Sequence, residues 1–117
     1  MLQPTKKDSR LLAAGAYLLH IFIAFLIYLV EKEDKWVRFH ALQAILFHLS
    51  YSAVFFVIFT AVWLFAFVTF GLGAICIPVL FVLVFGVILL NLWFAYRAYK
   101  EEYFELPLIG KFAAAHV

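Results

Sequence analysis

The sequence has no Asp, Glu, Lys or Arg between Arg38 and Arg97, and a second uncharged run covers residues 11–30. Hydrophobic residues make up 68% of the chain and charged residues 14%, against about half and about a quarter in soluble domains. A chain of this composition cannot cover itself with polar groups in water. The sequence therefore predicts an all-α integral membrane protein that lies in a lipid bilayer.

Three apolar segments are long enough to cross the hydrocarbon core of a membrane, which is about 30 Å thick. The predicted spans are residues 11–30, 44–70 and 78–99. A basic segment precedes the first span, as in a cleaved signal peptide, but the apolar run is longer than in such peptides and leads into acidic residues. Gly71 and Gly73 indicate the turn before the third span, and residues 100–117 form a polar tail.

The segment 31–47 is predicted to lie at the membrane surface. Residues 31–35 are too charged to enter lipid and indicate a solvated connection, and Trp36 is suited to the headgroup layer. The uncharged run that follows, residues 41–70, would be about 45 Å long as one helix, which exceeds the hydrocarbon core. Either a steep tilt or an amphipathic interfacial start to the second span absorbs the excess, and the polar side chains confined to its first part favour the interfacial start.

Basic residues near the span ends predict the orientation. With three spans, the 31–38 turn and the tail share one side and hold six Lys or Arg, while the N-terminal segment holds three on the other side. The larger number predicts that the C-terminus and the 31–38 turn are cytoplasmic, in a multi-pass protein of the inner or plasma membrane.

The apolar spans contain no Asp, Glu, Lys or Arg, the residues that mark proton relays and charged-substrate pathways inside membranes. This argues against a pump or a proton-coupled antiporter. No nucleophile–base pair, phosphate loop or metal-ligand spacing is present, and the one cysteine, Cys76, cannot form an internal disulfide. The sequence therefore indicates a protein that is not an enzyme and has no metal, no cofactor and no nucleic-acid partner.

Three polar residues lie at similar depths in the predicted spans, namely His20, His48 and Asn91. The first interpretation is an interhelical hydrogen-bond cluster that keeps polar groups away from lipid. The alternative is axial ligation of a b-type haem by His20 and His48, with one imidazole from each of two neighbouring helices.

A second polar group lies at the start of the second span. His40, Gln43, Phe47 and Tyr51 share one helical face, with His48 turned away by about 80°. This stripe can face a partner, a lipid headgroup or the protein's own tail.

The same segment carries a family resemblance. Its residues Phe39, His40, Gln43 and Ala44 resemble the phenylalanine–histidine–alanine–x–glutamine–alanine signature of a family of small prokaryotic membrane proteins of unknown function. That family is similar to the twenty-kilodalton Tic subunit of the chloroplast import translocon, which has an additional span. The resemblance implies a membrane-embedded subunit in which these four residues are structural positions.

Two classes of function follow from these observations. The favoured one is a non-catalytic accessory or structural subunit that docks on a larger membrane complex through its aromatic faces, since 15 Phe residues offer a large contact area. The alternative is a homo-oligomeric pore or carrier resembling the Tic subunit, because three spans are too few to enclose an aqueous path singly. A haem-b-binding subunit using His20 and His48 is the third hypothesis.

Overall fold

The computed structural model describes residues 3–6, 8–19 and 21–117, and over these residues all regular structure is helical. The helices are α1 (Ser9–Leu18), α2 (Ile21–Val30), α3 (Lys35–Val68), α4 (Ile77–Tyr99) and α5 (Ile109–Ala115), with a short 3-10 helix (Leu72–Cys76) before α4. The prediction of an all-α fold is confirmed. Among the described residues, two segments are long and apolar enough to cross a membrane, α3 and the segment Leu72–Tyr99.

The first predicted span, residues 11–30, is not one helix. α1 ends at Leu18 and the backbone of Leu19 is extended, so that α2 forms a separate helix. Each helix has ten residues, about 15 Å at 1.5 Å per residue, or half of the hydrocarbon thickness. The start of α1 lies beside the end of α2, because Lys6 Nζ is 3.0 Å from a carboxylate oxygen of Glu31. α1 and α2 therefore form a hairpin, and a third membrane-spanning helix is not found in the part of the chain that the structure describes.

The chain divides into two compact units. The charged unit is Met1–Leu49 with Asn91–Val117, and the apolar unit is Ser50–Leu90. All sixteen charged residues, nine basic and seven acidic, belong to the charged unit. The two units thus differ in charge as well as in the contacts that define them.

The apolar unit consists of the second part of α3, the 3-10 helix and the first part of α4. Gly71 has a φ of 93°, which favours glycine. Gly73 allows a close approach to α3, because a Cβ at this position would lie 2.6 Å from a ring carbon of Phe65 and 2.9 Å from the backbone nitrogen of Ala66. Both glycines therefore lie in the tight turn that brings the chain back into α4.

The surface of the apolar unit is formed by large hydrophobic side chains. Phe56, Phe67 and Phe81 are 69%, 83% and 72% exposed. A surface of this kind is stable next to lipid or apolar protein and unfavourable in water.

The charged unit contains the buried core. Tyr17 from α1, Trp36 from α3, Phe94 from α4 and Phe104 from the tail are buried together. Small side chains on the same helices permit this close packing, and they include Ala13, Ala16, Ala41, Ala44 and Ala98, all fully buried.

The first turns of α3 do not form a separate interfacial element. α3 continues without a break from Lys35 to Val68, a length of about 51 Å at 1.5 Å per residue. Trp36 and Phe39 are fully buried instead of facing headgroups. The first turns of α3 therefore pack inside the charged unit. α1 and the tail cover them, in place of the membrane surface that the prediction expected.

Candidate functional site

The four signature residues lie in the core of the charged unit. The side chains of Phe39, His40, Gln43 and Ala44 are all fully buried. The signature therefore forms an internal site.

Gln43 joins α1, α3 and the tail. Its Nε2 donates hydrogen bonds to Tyr17 Oη at 2.8 Å and to the carbonyl oxygen of Phe104 at 3.2 Å. Its Oε1 accepts a hydrogen bond from the backbone N–H of Leu106 at 3.0 Å. Gly110 leaves room for this amide, because a Cβ there would lie 2.8 Å from Oε1. Of the three surroundings considered for the stripe, Gln43 faces the protein's own tail.

His40 shares the hydroxyl of Tyr17 with Gln43. Tyr17 Oη lies 2.9 Å from His40 Nδ1, and since this oxygen already accepts the Gln43 amide, it donates its own proton to Nδ1. The network therefore assigns His40 as a neutral imidazole with its proton on Nε2. In the described part of the chain Nε2 makes no hydrogen bond of normal geometry, and the backbone of Glu102 faces the ring.

Aromatic rings enclose the imidazole of His40. The ring centres of Trp36, Phe104 and Phe39 lie 4.5, 5.1 and 5.2 Å from it. Such an enclosure shields the imidazole from water. The site is therefore suited to holding three chain segments in one arrangement.

Asp34 forms a second internal site at the N-terminus of α3. Its Oδ1 accepts hydrogen bonds from the backbone N–H groups of Trp36 at 3.1 Å and Val37 at 3.2 Å, the geometry of a helix N-cap. Its Oδ2 accepts hydrogen bonds from the backbone N–H of Thr5 at 3.1 Å and from the hydroxyl of Ser9. Asp34 is fully buried, whereas Lys32, Glu33 and Lys35 of the same predicted connection are exposed.

The N-terminal segment is attached to the same turn by Glu31. The Glu31 carboxylate accepts Lys6 Nζ at 3.0 Å and the backbone N–H groups of Glu33 and Asp34 at 3.2 Å. The hydrogen bonds from Lys6 and from the Asp34 backbone lower the pKa of Glu31. The hydrogen bond between Lys6 and Glu31 also raises the pKa of Lys6. Both shifts favour the ionised Lys6–Glu31 pair.

The pKa of Asp34 reflects two opposed effects. Burial alone would raise it, but hydrogen bonds from Ser9, Thr5 and Val37 outweigh burial and lower it. Asp34 is therefore a buried, ionised N-cap. The sequence contains a clue to this role, since Asp immediately before a helical pattern is a preferred N-cap residue.

Two of the three residues of the predicted intramembrane cluster, His48 and Asn91, lie among the described residues. His20 lies outside the described residues, so its grouping with His48 and Asn91, and haem ligation by His20 and His48, stay predictions. His48 is buried, with Nε2 at 3.4 Å from the carbonyl oxygen of Ala16. Asn91 is half-buried, and its Oδ1 has no hydrogen-bond partner among the residues described. Among all the described residues, no group of three His, Cys, Asp or Glu side chains is placed to hold a metal ion.

Comparison with known proteins assigns the chain to a family. Residues 8–113 match the family model described as the magnetosome magnetite crystal formation protein family. The chain belongs to this family. It is 30% identical to a UPF0132 membrane protein of Methanocaldococcus jannaschii over 91% of this chain and 86% of the relative. It is 33% identical to a UPF0132 membrane protein of Archaeoglobus fulgidus over 89% and 92%.

No solved structure matches the chain. Membership of the family, together with the archaeal relatives, confirms that this is a small prokaryotic membrane protein. The similarity to the chloroplast translocon subunit stays a prediction. The matched region includes the four signature residues and Asp34, because it extends from the residue before Ser9 into α5, and it begins after Thr5 and Lys6.

Proposed function

We propose that the protein is a non-catalytic accessory subunit embedded in the membrane. The observation that carries this proposal is the separation of the chain into an apolar unit with exposed Phe side chains and a charged unit whose signature residues are internal. Buried signature residues serve the fold, whereas exposed aromatic surface offers contact area to neighbouring membrane proteins.

We favour a subunit over a homo-oligomeric pore because of where the polar stripe lies. His40 and Gln43, which would line the aqueous path, are fully buried and hydrogen-bond Tyr17 and the tail. Opening a path along them would break these bonds in every copy. The proposal includes no role in mineral formation, although the family description refers to magnetite.

Native mass spectrometry after mild detergent extraction tests the subunit role. We expect other membrane subunits in a fixed ratio to this chain. Replacing the exposed Phe56, Phe67 and Phe81 by Leu keeps the surface hydrophobic but changes its shape, and is expected to reduce the co-purified subunits several-fold. Phe112→Leu, at a half-exposed position of the charged unit, is the matched control. A bare monomer or a homo-oligomer alone would contradict the proposal.

We further propose that both termini lie on the cytoplasmic side. The N-terminal segment contacts the 31–34 turn through Lys6, and the Arg10 guanidinium carbon lies 5.0 Å from the ring centre of Tyr99 at the end of α4. With α3 and α4 as the two crossings, all nine Lys and Arg residues fall on one side. This gives a stronger positive-inside bias than three crossings do.

Cysteine labelling tests this orientation. In a Cys76→Ser background, Gln3→Cys and Lys111→Cys are expected to react with a membrane-impermeant maleimide only in inverted vesicles. Ile75→Cys, at an exposed position of the 3-10 helix, is expected to react in right-side-out vesicles. Labelling of Gln3→Cys from the same side as Ile75→Cys would restore the three-crossing topology, and labelling after solubilisation controls for thiol reactivity.

A further inference from the structure

A groove of about 460 Å³ runs between α1 and the last turns of α4, entirely within the charged unit. Its walls are almost wholly hydrocarbon and aromatic, with Gly15 and Leu18 on α1 opposite Leu92 and Ala95 on α4. Gly15 forms part of its floor, because a Cβ at this position would meet only Leu19, at 3.8 Å. The groove is therefore a cleft into which an apolar chain fits.

Two cations lie at the rim of this groove. Arg10 sits over the ring of Tyr99 at 5.0 Å, and Lys100 Nζ lies 5.4 Å from the ring centre of Tyr96. Both tyrosines line the groove. In the part of the chain that the structure describes, neither cation forms a salt bridge. The rim thus combines positive charge with aromatic rings, which are enriched where membranes meet water.

We propose that the groove binds one acyl chain of an anionic phospholipid, whose phosphate lies between Arg10 and Lys100. The lining residues extend from Leu11 on α1 to Leu19, the residue that follows this helix, about 12 Å at 1.5 Å per residue. That depth is close to half of the hydrocarbon core, about 15 Å. A chain entering beside the two cations is therefore covered over most of the length of one leaflet.

Charge complementarity selects an anionic lipid over a zwitterionic one. A phosphate monoanion neutralises the two rim cations only in part, and the added positive charge of a choline headgroup would be repelled by them. Asp8 and Glu101 neighbour the cations in sequence, yet neither carboxylate lies within salt-bridge distance of Arg10 or Lys100 among the residues described. Both are exposed and can turn towards water when a phosphate binds.

The binding test uses the purified full-length protein in a mild non-ionic detergent. It is titrated with dioleoylphosphatidylglycerol, dioleoylphosphatidylcholine or inorganic phosphate, and bound molecules are counted by native mass spectrometry. We expect one phosphatidylglycerol per chain, retained at least tenfold more tightly than phosphatidylcholine. Equal retention of the two lipids would overturn the proposal, and so would displacement of the lipid by millimolar phosphate, which would indicate a site for the free anion.

Two matched pairs of variants locate the site. Arg10→Gln with Lys100→Gln is expected to weaken phosphatidylglycerol binding about tenfold or more, whereas the same charge change at the exposed Lys35 and Lys111 leaves it unchanged. Equal losses in the two double variants would mean diffuse charge attraction and would overturn the site. Circular dichroism confirms that each variant is folded.

The second pair tests the groove itself. Gly15→Leu fills it and is expected to abolish lipid retention, while Gly86→Leu, at a helical glycine of the apolar unit with nothing near its Cβ, is expected to bind as the unmodified protein does. Normal binding by Gly15→Leu would overturn the proposal. The lipid site goes beyond the proposed subunit role, and because binding is measured on the isolated chain, the two proposals fail independently.

Discussion

Replacing Gln43 by alanine is expected to destabilise the protein by about 2–4 kcal/mol and to release the tail from α3. The substitution removes the hydrogen-bond partner of the Leu106 N–H and of the Phe104 carbonyl oxygen, while the Tyr17 hydroxyl keeps only its bond to His40. Each buried polar group left unpaired costs about 1–3 kcal/mol. The empty volume of a fully buried side chain adds to this cost.

Thermal unfolding in detergent, followed by circular dichroism, measures the loss of stability. Limited trypsin digestion measures the release of the tail, because Lys111 is exposed and cleavage after it requires a locally mobile backbone. Gln3→Ala is the matched control at an exposed position, and its melting is expected to shift little, within about 0.5 kcal/mol.

Gln43→Glu separates hydrogen bonding from volume. A carboxylate keeps the size of the amide and can still accept the Leu106 N–H, but it cannot donate to the carbonyl oxygen of Phe104. It also places a negative charge in an enclosed site. We expect Gln43→Glu to be destabilised at neutral pH and partly restored at acidic pH. A Gln43→Ala protein with the same melting temperature as the unmodified protein would contradict the assigned role of this residue.

The membrane character and the helical class could be predicted from composition, because no other fold tolerates such long uncharged runs. The signature could also be located, since Phe39, His40 and Gln43 interrupt otherwise uniform membrane sequence. The groups that surround these residues could not be predicted. Helical periodicity places the three on neighbouring faces, but only the fold shows that α1 and the tail cover them.

The first span shows where composition fails. Residues 11–30 have the length and hydrophobicity of a crossing, yet the described residues of this range belong to two separate helices, Ser9–Leu18 and Ile21–Val30. The deciding contacts are the Lys6–Glu31 ion pair and the hydrogen bond between Ser9 and Asp34. These groups lie 25 residues apart in the sequence, so a window that measures hydropathy cannot detect them.

Replacing Asp34 by alanine is expected to cost about 2–4 kcal/mol. Loss of an N-cap alone costs about 1 kcal/mol and at most about 2, and here it leaves α3 uncapped. The same change leaves the N–H of Thr5 and the hydroxyl of Ser9 without their acceptor, which adds about 1–3 kcal/mol if they stay buried. The N-terminal segment is therefore expected to detach, and its backbone then becomes mobile enough for trypsin to cleave after the exposed Lys6 and Arg10.

Asp8→Ala provides the matched control. Asp8 occupies the N-cap position of α1 but makes no side-chain cap hydrogen bond, so its replacement is expected to change stability by less than about 0.5 kcal/mol. Asp34→Asn provides the intermediate case, because Asn caps helices as well as Asp does while its amide nitrogen cannot accept from Thr5 or Ser9. Equal stability of Asp34→Ala and Asp8→Ala would refute the role of Asp34.

The pH dependence of stability gives a separate test of Asp34. Its pKa and that of Glu31 are lower in the folded protein than their ordinary values, which are about 4. The folded state therefore binds fewer protons than the unfolded state as the pH falls below about 4 to 5, and protonation favours unfolding. The stabilisation is present in full above that range and is lost as the pH falls through the lowered pKa values. The melting temperature of the unmodified protein should thus fall steeply on acidification. That of Asp34→Asn, which carries one such carboxylate fewer, should fall less steeply. Parallel declines in the two proteins would mean that Asp34 is not held ionised by Ser9 and Thr5.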